Sequence, residues 1–317
     1  MTIILIDIIC KLHIPKVLLR FIMMNFLDLS TINNLLLTIK EMNVLDNYSK
    51  DLIVKANKGF NWNCQNGHLA VAQWLYFICQ VNIHVDNESP FTLSCKNGHL
   101  TVAQWLYSIG EGMDRTNSSS IVPLGQSSGN DYEFILACES GQLDVAQWLY
   151  SLGNVNSHAD SEYAFQLSCK NDHLTVAQWL YSLGNVNIHA DNEYAFRLSC
   201  VHDHLVVAKW LYSLGKVNIH ANNECAFRWA CEYGHITVAK WLYSLGNVNI
   251  HVDNERAFRW ACEYDQLTVA KWLYSLGGIN IYVNNKNAFN CTSKKVLDWF
   301  NSITAIPIAI ATAIAKN

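Results

Sequence analysis

Residues Asn185–Gly215 read NVNIHADNEYAFRLSCVHDHLVVAKWLYSLG, and nearly the same line returns from Lys216 and again from Asn247. The tryptophans mark the period: Trp148, Trp179, Trp210, Trp241 and Trp272 stand 31 residues apart, as do Trp74 and Trp105. From Trp105 to Trp148 the gap is 43, so 12 extra residues fall in the Ser/Gly-rich run 111–130, which reads as an enlarged loop. Each unit holds two helical patterns. Phe196, Ser199 and Cys200 stand at i, i+3 and i+4, while Leu205, Ala208, Leu211 and Leu214 recur every third residue beside Val207. Asp203, or a glycine in other units (Gly98, Gly141, Gly234), turns the chain between the helices, and Gly215 stops the second. The short, β-branched VNIHADN then predicts a tight, hairpin-like connection. Two short helices cannot bury their apolar faces alone, so the units must stack. The expected fold is all-α, an α-solenoid, with the tryptophans largely buried between units.

Composition narrows the function. Half of the 317 residues are apolar (51%) and 15% are charged, a folding composition. A net charge of −4 exerts no general pull on nucleic acid or on anionic membrane. Thr2–Ile9 is apolar, but Lys11, Lys16 and Arg20 follow it, whereas a secretion signal places its cations first. The apolar run Ile303–Ala315 is broken by Pro307 and falls short of the roughly 20 residues of a membrane helix. The expectation is an intracellular, cytoplasmic protein that does not enter a membrane. Its 11 cysteines are then reduced thiols.

GHLTVAQWLYSIG from Gly98 and the VNIHAD segment from Val186 resemble the ankyrin repeat: its Gly-His, second helix, closing glycine and Val-Asn-x-x-x-Asp hairpin. The resemblance covers about 50–300 and recurs seven times. The chain departs from that family in two ways. Its period is 31 and not 33, the shortfall lying between Asp191 and Tyr194. Arg197, Gln166, Arg228 and Arg259 stand where the family has a backbone-bonding histidine. This Trp-Leu-Tyr-rich variant is similar to ankyrin arrays of giant DNA viruses that infect amoebae. The resemblance implies protein–protein recognition on a concave face, in a host cell if viral, with no catalysis, cofactor or small-molecule substrate.

Three residue patterns invite sharper chemistry. Cys64/His68, Cys95/His99, Cys169/His173, Cys200/His204 and Cys231/His235 recur as C-x3-H, a zinc-like pairing. Gln142 and Gln266 replace the histidine in two units, and glutamine bonds hydrogen well but zinc poorly, so core cysteines and capping histidines are the expectation. His84, His158, His189, His220 and His251 form a second row, read as exposed and without a carboxylate arrangement for pH sensing. Arg197, Arg228, Arg259, Lys209, Lys240 and Lys271 make a basic trend that nucleic-acid binding would use. Glu193, Glu224, Glu232, Glu255 and Glu263 interrupt it, which reads as a solvated, salt-bridged face. Cys79 and Cys225 lie off the periodic position, and no nucleophile stands apart with its own histidine and acid.

The domain reading is a non-repeat N-terminal helical cap at 1–47, repeats at 48–110, the loop at 111–130, repeats at 131–277 and an atypical capping repeat with a tail at 278–317. Within the first segment, IICKLHIPKVLLRF resembles the middle of an F-box without its opening Leu-Pro. That makes a ubiquitin-ligase adaptor the alternative to a plain scaffold, with nucleic-acid binding third. For a monomeric scaffold, positions that vary between otherwise identical units are freed from packing. They are the residues five and six after the first-helix phenylalanine, and two before it. Tyr233, Tyr264, Glu232 and Glu263 are therefore the expected centre of the protein contact, with His202 and Arg256 at its edge.

Overall fold

The structure is a computed structural model that describes residues 50–79, 81, 90–113, 130–153, 155–281 and 293–303. The expected cap or F-box at 1–47, loop residues 114–129 and the tail from 304 lie outside the described residues. Among those described there are helices and no strand. First helices are α1 (Lys50–Gln65), α3 (Pro90–Lys96), α5 (Asp131–Glu139), α7 (Ala159–Lys170), α9 (Ala190–Val201), α11 (Ala221–Glu232) and α13 (Val252–Glu263). Second helices are α2 (Leu69–Cys79), α4 (Leu100–Met113), α6 (Leu143–Ser151), α8 (Leu174–Ser182), α10 (Leu205–Ser213), α12 (Ile236–Ser244) and α14 (Leu267–Ser275). A final helix, α15, covers 294–303. No helix among the described residues is long and apolar enough to cross a membrane.

The chain divides into two compact units, Met1–Ala137 with Gln142–Val155, and Cys138–Gly141 with Asn156–Asn317. In each, the core is the part of the sequence that does not vary. Phe60, Phe91 and Phe134 are fully buried in the first unit, and Phe165, Phe196, Phe227 and Phe258 in the second. The second helices bury a Val-Ala pair and a leucine one turn on, such as Val207, Ala208 and Leu211. Stacking seals this stripe because neither helix of a pair covers it alone.

The tryptophans sit between neighbouring repeats, as expected, but are half-buried. Trp241 meets Phe196 at 6.1 Å and the edge of Tyr212 at 5.9 Å, both from the repeat before. Trp272 repeats the arrangement with Phe227 and Tyr243. So does Trp299 of α15, with Phe258 at 6.3 Å and Tyr274 at 5.8 Å. Thus α15 packs on the preceding repeat as a second helix does, although Trp299 follows Trp272 by only 27 residues.

The connection between repeats is not the expected hairpin. The Asn187 side chain accepts a hydrogen bond from the His189 backbone N–H, folding the chain into a turn. Asp191, Asn192 and Glu193 then all adopt the left-handed conformation, at φ 51°, 56° and 64°. Asn222, Asn223 and Glu224 form the second such turn, and Asp253, Asn254 and Glu255 the third. One left-handed non-glycine residue costs roughly 1–2 kcal/mol, and runs of them are rare. Side chains hold this run in place. Arg197 donates from Nε to the Asn192 carbonyl at 2.9 Å and from Nη2 to the Asp191 carbonyl at 2.9 Å. Arg228 and Arg259 do the same one and two repeats on. The three arginines in the family's histidine position therefore still bond backbone, but across this turn, whereas Gln166 donates to the Asp191 side chain at 3.2 Å.

The last residue of the turn joins one repeat to the next. The Glu193 carboxylate is 6% exposed, and Glu224 and Glu255 are each 5% exposed. Glu193 accepts a hydrogen bond from His189 Nδ1 at 2.9 Å and another from the Asn218 backbone N–H at 3.1 Å, 25 residues along. Glu162, Glu224 and Glu255 repeat both bonds. Two expectations fall here. His158, His189, His220 and His251 do have carboxylate partners, from four residues downstream, while His84 lies outside the described residues. The interspersed Glu193, Glu224 and Glu255, with Arg197 and Arg228, are buried in repeat-to-repeat joints and not spread on a solvated face.

Candidate functional site

The C-x3-H rows resolve into packing. Cys64, Cys95, Cys138, Cys169, Cys200, Cys231 and Cys262 are fully buried. Burial pushes the Cys64 thiol up to about 12 and those of Cys169, Cys200 and Cys231 up as well. A thiol so disfavoured as thiolate is neither nucleophile nor ready ligand. The histidines reach back to the repeat before: His235 Nε2 donates to the Val201 carbonyl at 2.9 Å, and His99 Nε2 to the Gln65 carbonyl at 2.9 Å. Each thereby satisfies a carbonyl at the end of a first helix. Asn171 adds an equivalent bond to the Glu139 carbonyl at 2.8 Å. No group of three or more His, Cys, Asp or Glu residues among those described is placed to hold a metal ion.

The ends of the first helices in the second unit carry the variable residues. Tyr233 is the C-cap of α11 and Tyr264 the C-cap of α13. They are 54% and 52% exposed, among the most exposed large side chains of the described residues. The Tyr233 ring stacks on His235 at 6.2 Å, and His202 stacks on His204 at 6.1 Å, so both are held from below. Glu232 shares one electrostatic neighbourhood with Arg256 and Glu263. Partial burial pushes its carboxyl up, Arg256 pulls it down, and Glu263 raises it again. For His202, partial burial and then Lys170, His204 and His235 push its imidazole down. Acids at the last turn oppose the helix dipole, where a cation would favour it, and neither α11 nor α13 has a basic residue there. Val201 and Lys170 hold the same position in α9 and α7.

Sequence reasoning missed a neighbouring feature. Leu167 and Leu198 are buried, but their equivalents Trp229 and Trp260 are half-exposed. Arg256 lies over the Trp260 ring at 3.9 Å, and Arg228 lies 5.8 Å from its centre. Arg197 sits between Tyr194 at 5.2 Å and Trp229 at 5.6 Å. The change from RLSC to RWAC between repeats was the available signal. Arg256 also approaches Asp253 at 3.5 Å, which fixes its guanidinium over the indole.

Residues 60–159 match a family model described as ankyrin repeats (3 copies). Helix pairs with the same Phe, Tyr and Trp contacts continue to Ser275, and Trp299 of α15 makes those contacts once more. Residues 60–159 thus resemble ankyrin repeats, which in general are modules of protein–protein contact. Among solved structures it is similar to the human ASB11 ankyrin repeat domain, at 19% identity and a TM-score of 0.48, over 69% of this chain and 97% of that one. Comparison with curated proteins gives no match.

Proposed function

We propose that the chain is a non-catalytic, monomeric scaffold that holds a protein partner at the first-helix ends of α9, α11 and α13. The observation that carries this reading is the pair of exposed tyrosines, Tyr233 and Tyr264, at equivalent caps of adjacent repeats. Aromatic side chains already ordered by packing lose little freedom on binding, which is why they dominate contact energies. Glu232 and Glu263 supply charge beside them, His202 extends the row, and Arg256 with Trp260 borders it. On the resemblance to viral arrays, the partner is a protein of the host cell. Affinity purification from that cell identifies it. Tyr233→Ala with Tyr264→Ala then weakens binding at least tenfold, about 1.4 kcal/mol, with an unchanged melting temperature. Binding that survives this pair but fails in Lys209→Ala with Lys240→Ala moves the contact to the second helices.

A further inference from the structure

In the sequence the lysines of the second helices are interleaved with acids, but the fold separates the two. Every acid from 156 to 281 falls on a first helix, on the left-handed turn that opens it, or on the turn inside a repeat, and α8, α10, α12 and α14 contain none. Their exposed side includes Lys209, Lys240 and Lys271, which form no ion pair among the described residues. Three positions on stand Tyr212, Tyr243 and Tyr274, exposed, each ring edge-on against the tryptophan of the next repeat. The stripe has two ends: Gln178 holds the lysine position in α8, and Asp298 holds it in α15.

We infer that this stripe is a second docking surface, for an acidic, extended polypeptide segment in which carboxylates alternate with apolar or proline residues. Charge complementarity selects that occupant: one exposed lysine recurs per repeat, on helices that carry no acid. A segment in polyproline II form presents such side chains from an extended backbone. Its intervening apolar or proline side chains meet the tyrosine–tryptophan ladder, the kind of surface on which such segments dock. A nucleic-acid strand fits less well. It carries a charge on every nucleotide, more than one for each lysine met, on a unit whose other surfaces are rich in carboxylates.

The test is fluorescence anisotropy on the full chain with three labelled probes: a peptide of Glu-Pro-Pro triplets, one of Lys-Pro-Pro triplets, and a single-stranded oligothymidylate. The acidic peptide binds, the basic one does not, and the oligonucleotide binds at least tenfold more weakly than the acidic peptide. Lys209→Gln with Lys240→Gln and Lys271→Gln, which repeats the side chain native at Gln178, weakens the acidic peptide at least tenfold without altering far-ultraviolet circular dichroism. Tyr233→Ala with Tyr264→Ala leaves it unchanged, which separates this surface from the first-helix ends. The inference is overturned if the acidic peptide fails to bind, if the triple variant binds it equally, or if the oligonucleotide binds more tightly.

Discussion

Each repeat of the second unit turns the chain twice, and the two joints are made differently. Inside a repeat, one left-handed residue suffices, either a glycine (Gly141, Gly234) or an aspartate (Asp172, Asp203, Asp265). Between repeats, three consecutive non-glycine residues are left-handed. The first joint depends on one residue's tolerance of positive φ, so two residue types serve. The second depends on a guanidinium across two carbonyls and a buried carboxylate bonded 25 residues along, so its residue types hardly vary. A joint that costs more by itself is retained because it also couples one repeat to the next.

The largest effect comes from removing that coupling. Glu224→Ala leaves the Asn249 N–H and the His220 ring without their acceptor, and costs about 2–3 kcal/mol in a urea melt. A loss below about 0.5 kcal/mol shows that the left-handed turn stands without its carboxylate. The joint inside the repeat gives smaller effects of opposite sign. Gly234→Ala costs about 1–2 kcal/mol, since φ is 82° and a Cβ there collides with the Gln266 side chain. Asp203→Gly relieves a φ of 64° and gains up to about 1 kcal/mol, because the aspartate's approach to His235, at 3.8 Å, is half-exposed and worth little. Equal signs for this pair would mean that the turn residues bear tertiary load after all.

The smallest effect lies at the candidate site. Because the folded protein holds the Glu232 carboxyl above its ordinary value, the charged form is disfavoured by folding. That cost is present above the raised value and vanishes as pH falls below the unfolded carboxylate range, about 4.3. Glu232→Gln therefore raises the melting temperature slightly at neutral pH, and the difference closes near pH 4. A gain that persists in acid would trace to packing instead.

Much of this molecule is local repetition. The 31-residue period, the two helices, the buried phenylalanine and the Val-Ala-x-x-Leu stripe follow from residue type and spacing, because a helix of fixed pitch sends i, i+3 and i+4 to one face wherever it packs. The variable positions at Tyr233 and Tyr264 could be recognised in the same way, as exceptions to the repetition. Only the tertiary structure decided what the polar residues do. VNIHADN has hairpin propensities but forms a left-handed turn, since the bonds that stabilise it come from Arg197 and from the next repeat. Glutamates and lysines that alternate along the chain end in different places: Glu193, Glu224 and Glu255 are buried in joints, Glu232 and Glu263 stand at first-helix ends, and the lysines are exposed on second helices. Charge pairing depends on distance in space, and in a stack that distance is set by neighbours a full period away and not by adjacency in sequence.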